Sequence, residues 1–287
     1  LSGVISGGPT AAGTVAFTKA GAGALVLSGN NTFGAANTLV DITGGILQLN
    51  SAAAMGPSGT LRLNINSATQ GLRVAGSFTL NPQVYLNQAT SAIDVTAGNT
   101  LTLGTAFGFA ANTNAIQKND NGTLVLGADN SATNWGGTLT IAAGAVRLTN
   151  ALALGTSTGS AVTVNNVGGA ALQLAGVTVS RNITINSSGL DSAGALQAYS
   201  GNNVLSGTLI LATGPTVAAN AGATLTLSGS ITGGVALTLA GAGSIAMTGT
   251  LGGTVPTSLT KFGNGTVRLA SGLSNFTGAL TIQQGTF

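Results

Sequence analysis

TKAGAGALVLSG, residues 18–29, decides how the chain is read, because it is written more than once. TKFGNGTVRLASG at residues 260–272 says nearly the same thing, and QKNDNGTLVLG at 117–127 is a third version. All three follow Thr/Gln-Lys-x-x-x-Gly-x-Leu/Val-x-Leu. A weaker copy, TLAGAGSIAM, starts at Thr238 and has Leu239 where the others place lysine. A catalytic loop is rarely needed in three copies, whereas a structure made by stacking uses one local geometry again and again.

A second phrase follows the first in fixed order. NTFGAANTLVDITGGILQLN covers residues 31–50, NWGGTLTIAAGAVRLTN covers 134–150, and NFTGALTIQQGTF covers 275–287. Each opens on Asn and an aromatic residue near a glycine turn, then reads strand, glycine turn, strand. Elsewhere apolar residues alternate with polar ones, as in TLTLG, TLRLNIN, AVTVNN and VTVSRNITIN. That period of two marks half-buried strands. Strands of four to six residues cannot bury a face alone, but rungs stacked in parallel can, at about 4.8 Å per rung. At roughly 20–25 residues per turn the chain predicts about a dozen rungs and a rod on the order of 60 Å long. Glycines are expected at corners where φ must be positive. Signals for helix are thin, confined to short Ala-rich pieces such as SAAAMG.

Composition narrows the function. The chain has 287 residues, of which 5% are charged, 4% aromatic, 44% hydrophobic and 46 glycine. Hydrophobicity this high with so little charge is not the signature of disorder. No apolar run of about 18 residues occurs, so no membrane insertion by a helix is expected. Cysteine is absent, which excludes disulfide staples and thiolate metal ligands. The net charge of +3 comes from eight scattered Lys and Arg against five Asp, with no basic patch interleaved with aromatics. Nucleic acid is therefore not an expected partner. The text begins and ends inside repeated phrases, so residues 1–287 read as one continuous solenoid segment of a longer repeat protein.

The phrase L-x-K-x-G-x-G-x-L-x-L-x-G-x-N-x-[FY]-x-G-x-[TL]-x-[IV]-x-x-G-x-[LV] resembles the autotransporter-associated β-strand repeat. It fits residues 17–47, 116–146 and 259–287, with NDNG and Asn134-Trp135 as departures in the second copy. The resemblance implies an all-β fold, a right-handed parallel β-helix. It further implies export across the outer membrane of a bacterium and display at the cell surface. Members are mostly structural or adhesive, so the resemblance brings no catalytic residues, cofactor or metal.

The residues themselves point the same way. Without His, Cys or Glu, most acid–base and nucleophilic designs are closed. A glycosidase-like pair would have to come from Asp120 and Asp129, which otherwise read as turn residues in KNDNG and ADNS. Lys19, Lys118 and Lys261 recur at one place in the repeat. They read either as a row of cations for an anionic glycan or a neighbouring subunit, or as solvated residues at strand edges. Trp135, Phe33 and Phe276 align at the Asn-aromatic-Gly turn, where they cover a corner or stack on a sugar. The Thr-x-Thr pieces at Thr138–Thr140, Thr224–Thr226 and Thr100–Thr102 resemble flat ice-binding faces, although any β-solenoid surface is rich in threonine. The sequence thus supports a non-catalytic surface module of a fibre, sheath or adhesin stalk. Its partners would be itself, in end-to-end or lateral polymers, or flanking repeats of its own chain. A glycan-binding adhesin is the alternative, and a polysaccharide-active β-helix a more distant one.

Overall fold

The computed structural model of the protein describes residues 3–133, 135–156, 161–165, 169–270 and 276–287. Asn134 and Asn275 of the Asn-aromatic phrases lie outside the described residues. The fold is a parallel β-solenoid of about 12 turns with essentially no α-helix. Two short 3-10 segments, Ala52–Met55 and Leu190–Ser192, are the described helical pieces.

One complete turn shows the plan. Gln83–Leu86 lies on the first face, Thr90–Val95 on the second and Thr100–Leu103 on the third, and the next turn begins with Gly108–Phe109 back on the first. The second and third faces are each continuous parallel sheets of ten strands. The first face is a five-stranded sheet that ends at Gly108–Phe109. A second five-stranded sheet begins at Thr178–Val179 and occupies the same place in the order of each later turn. Between them, around residues 127–156, that side carries no strand among the described residues.

Stacking in register converts the alternating sequence into columns. On the second face Leu25, Leu47, Leu72, Ile93, Lys118, Ile141, Val164, Ile185 and Leu211 lie one above another. On the third face Leu101, Leu124, Val146, Leu172, Leu196, Val217, Leu239, Lys261 and Ile282 do the same. The aliphatic members point inward and, apart from those in the end turns, are almost fully buried. Burying one such side chain stabilises the fold by roughly 1.5–3 kcal/mol. Each column in this sequence contains one lysine.

Candidate functional site: the lysine corners

The three repeated lysines are interior residues. Lys19, Lys118 and Lys261 are 5%, 0% and 1% exposed. They therefore form neither a cation row for an anionic partner nor a solvated strand edge, and the expectation of exposure is corrected. Nor do they share a row. Lys19 ends Val15–Lys19 on the first face, Lys118 lies in Ala115–Asn119 on the second, and Lys261 ends Ser258–Lys261 on the third. From one copy to the next the phrase moves round the solenoid by one face.

What recurs is the corner. Lys19 Nζ donates to the carbonyls of Ala20 and Gly21 at 2.8 Å and of Gly44, one turn later, at 2.7 Å. Lys118 Nζ donates to Asn119 and Asp120 at 2.6 Å and to Ala143 at 3.2 Å. Lys261 Nζ donates to Phe262 at 3.1 Å, to Gly263, and to Gln284 at 3.3 Å. An ammonium has three N–H donors and no acceptor, so three carbonyls satisfy it fully. Such charge-assisted bonds offset part of the cost of burying the charge. At a corner the backbone leaves the sheet ladder, and these carbonyls would otherwise lack partners. Burial pushes Lys118 down to about 8, opposed by the nearby Asp120 and Asp94 carboxylates. Burial also lowers Lys261.

The glycine that closes the phrase is part of the same device. Gly45, Gly144 and Gly285 have φ of 66°, 67° and 83°. A Cβ on Gly45 would stand 2.7 Å from Lys19 Nζ, and one on Gly285 would stand 2.8 Å from Lys261 Nζ. Only glycine combines this conformation with room for the amine.

A second clamp lies twelve residues past the lysine. Asn31 Oδ1 accepts from Ile5 N at 2.8 Å, and its Nδ2 donates to Ala54 O at 2.8 Å. Asn130 repeats this with Phe107 N and Ala153 O, both at 2.7 Å. Each carboxamide joins the turn before it to the turn after it.

The aromatic residues are core. Phe33 is 2% exposed and stacks on Phe17 at 5.3 Å. Trp135 is fully buried, lies 5.3 Å from Phe107, and donates through Nε1 to Asn114 O at 2.8 Å. Phe276 is partly buried against the same core. Phe33 and Trp135 thus present no ring face on which a sugar could stack.

Arg181 is a residue that sequence reasoning passed over. It is 1% exposed, and its guanidinium carbon sits 5.1 Å from the Trp135 ring. It donates to Gly137 O at 2.7 Å and to the carbonyls of Trp135 and Leu154. These carbonyls belong to the stretch where the first face is interrupted. The planar fork of donors replaces the missing ladder across three turns, and burial lowers the group to about 10.

Four of the five carboxylates have partners in the fold. Asp41 pairs with Arg62 in the next turn through both oxygens at 2.5 Å. Arg73 reaches Asp94 at 3.2 Å and Asp120 at 3.8 Å. Burial raises Asp94, while Asn119 and Arg73 lower it. Asp120 is a turn residue at φ 59°, and exposed Asp129 accepts from Ser131 N at 2.7 Å in a different turn. Among the described residues no group of three or more His, Cys, Asp or Glu is placed to hold a metal.

The passenger-associated-transport-repeat family matches the chain three times, at residues 17–49, 116–148 and 259–287. These are the three stretches that contain the lysine corners, the Asn-aromatic turns and the closing glycines. The chain thus carries three matches to that repeat, set on a parallel β-solenoid. No curated protein and no solved structure matches it.

Proposed function

We propose that the chain is a non-catalytic structural module of the bacterial cell surface, a length of stiff rod within an extracellular fibre, sheath or adhesin stalk. The observation that carries this reading is the use made of its interior polar and aromatic residues. The three repeated lysines, Arg181, Trp135 and the clamp asparagines all hold one turn to the next. The repeated lysines, Arg181, Phe33 and Trp135, groups that an enzyme or lectin would present to a ligand, are committed to the interior. The passenger repeats support export to the surface.

The partner in this reading is another rung. The last strand, Ala279–Ile282, pairs on one side with Ser258–Lys261. Its inward positions Leu280 and Ile282 are 46% and 51% exposed. A further turn, from flanking repeats or from a second copy laid end to end, would cover them and continue the ladder.

The test is electron microscopy of the native material beside the purified chain. Uniform fibres in both support a self-stacking rod. Fibres in the native material with only short rods of the purified chain place the continuation in flanking sequence. Absence of any rod-like or fibrous form in the native material overturns the proposal, and glycan binding then becomes the reading to pursue.

A further inference from the structure

One exposed aromatic ring has no role in the stacking of turns. Phe262 is 53% exposed and follows Lys261 in the third lysine corner. The other two corners carry Ala20 and Asn119 at that place. The end of the rod does not account for the exposure. The next turn passes over this corner, with Gln283 N donating to Lys261 O at 3.0 Å. Two residues beyond Phe262 the chain reads Asn264-Gly265-Thr266, and the second corner reads Asn121-Gly122-Thr123 at the same place. Asn-x-Thr is the acceptor triplet for N-linked sugars. Asn264 and Asn121 are exposed, each directly after a left-handed residue, Gly263 at φ 83° and Asp120 at φ 59°. Neither carboxamide has a hydrogen bond among the described residues. Thr266 and Thr123 open the strands that follow. Elsewhere the asparagine of such a triplet is bonded to a neighbouring turn. Asn182 Oδ1 accepts from Thr208 N and Asn186 Nδ2 donates to Val164 O, both at 2.9 Å. Asn30 is exposed, but the middle residue of its triplet is the buried clamp Asn31.

We propose that Asn264 carries an N-linked sugar, with Asn121 as a second acceptor. The sugar arrives as an activated phosphate ester on a glycosyltransferase. The asparagine amide nitrogen bonds to the anomeric carbon, and the carbon–oxygen bond to phosphate breaks. The phosphate leaves with the electron pair, and the amide proton passes to a base of the transferase. Phe262 is the feature that singles out a sugar at Asn264. A pyranose has an apolar face of C–H groups, and the exposed phenyl ring on the same corner offers a surface for that face to cover. The competing fate of an Asn-Gly pair is cyclisation, in which the glycine nitrogen attacks the side-chain carboxamide. Here Gly265 N donates to Gly241 O at 2.9 Å and Gly122 N to Val95 O at 2.8 Å, so both nitrogens are held in the ladder and away from that attack. A sugar also suits the composition. With 5% charged residues, little repulsion keeps copies of the rod apart. Sugars at the corners would hydrate it without touching the inward columns. The site is independent of whether the rod polymerises.

The test uses the chain isolated from the cells that make it, in its natural form and with single substitutions expressed in those cells. Circular dichroism melts establish that each variant is folded. Proteolytic peptides are then sequenced by mass spectrometry, with a fragmentation that leaves side-chain groups attached. The expected result is a sugar mass on Asn264 and on Asn121, and none on Asn182 or Asn186. Thr266→Val keeps the shape and strand preference of threonine and deletes its hydroxyl. It should abolish the sugar at Asn264 alone, and Thr266→Ser should restore it. Phe262→Ala should lower the melting temperature of the glycosylated chain and leave that of Asn264→Gln unchanged, the coupling expected of a ring covered by a sugar. Bare Asn264 and Asn121 in the natural chain overturn the proposal, as does a sugar at Asn264 that survives Thr266→Val. Conversion of Asn264 to aspartate or isoaspartate with no sugar would make the corner a site of chemical ageing instead. Equal shifts from Phe262→Ala in both backgrounds would overturn the contact between ring and sugar.

Discussion

In the turns between residues 39 and 126 the outer positions carry charge: Asp41 on Arg62, and Arg73 between Asp94 and Asp120. In the turns between residues 139 and 269 the corresponding positions carry mostly amides and hydroxyls, with Arg147 and Arg268 as charged members. Arg147 donates to Gln173, Gln173 to Gln197 and Gln197 to Asn220, at 2.8–2.9 Å each. Thr140, Thr163 and Thr184 stack beside them on the neighbouring face. Beneath both regions run the same inward columns of Leu, Ile and Val. An inward residue must match its neighbours above and below in size and apolarity, because a void or an unpaired polar group in the core is costly. An outward residue needs only a partner one rung away, and an ion pair, an amide pair or water each suffices. The inside of a solenoid is thus fixed by stacking, and chemical variety collects on the outside.

The exceptions to this division are the interior polar groups, and they give the most severe tests. Arg181→Met removes the donors that serve three buried carbonyls where the first face is interrupted. Each buried polar group left unpaired costs roughly 1–3 kcal/mol, so a loss of about 3 kcal/mol or more is expected. Native-state hydrogen exchange should place that loss in residues 130–156 and leave 202–247 protected, since each turn contacts only its neighbours. Uniform loss along the rod would mean that the two regions do not divide at this junction.

Lys118→Met retains most of the stem and deletes the ammonium. It should destabilise the chain by about 2–3 kcal/mol, the value of a hydrogen bond or two to a charged group, read from a denaturant titration. An unchanged midpoint would show that the corner carbonyls find other partners. The same pair reports on pH. Lys118 titrates near 8 when folded against 10.5 as an ordinary lysine. The folded state therefore binds fewer protons than the unfolded state between those values. Stability of the natural chain relative to Lys118→Met should rise with pH across that window and be flat below it.

The smallest effects belong outside. Arg62→Ala in the first region and Gln197→Ala in the second should each cost under about 1 kcal/mol. Added salt should weaken only the natural chain's advantage over Arg62→Ala, because the amide ladder carries no net charge beyond Arg147. A cost at either site equal to that of Lys118→Met would erase the distinction between inside and outside.

Much of this was legible in the letters. Alternation, the repeated phrases and the glycine corners give the solenoid and its turn length. The lysines show where such reading slips. Phe17-Thr18-Lys19, Ile116-Gln117-Lys118 and Leu259-Thr260-Lys261 each place lysine two residues after an apolar one, on the same face of the strand. Period two taken alone places all three in the core, but the ordinary preference of a charge for water led to the exposed reading. That preference fails here because three carbonyls meet at each corner, which no local pattern announces.

By itself the sequence determined the period and the strand-forming columns, since these follow from side-chain alternation over a few residues. The tertiary structure alone decided what lies one turn away. It set Lys118 against Ala143, Arg181 against Trp135 and Leu154, and each copy of the phrase on a different face. Those contacts span 20 to 50 residues, and the variable corners between strands fix the register in which distant rungs meet.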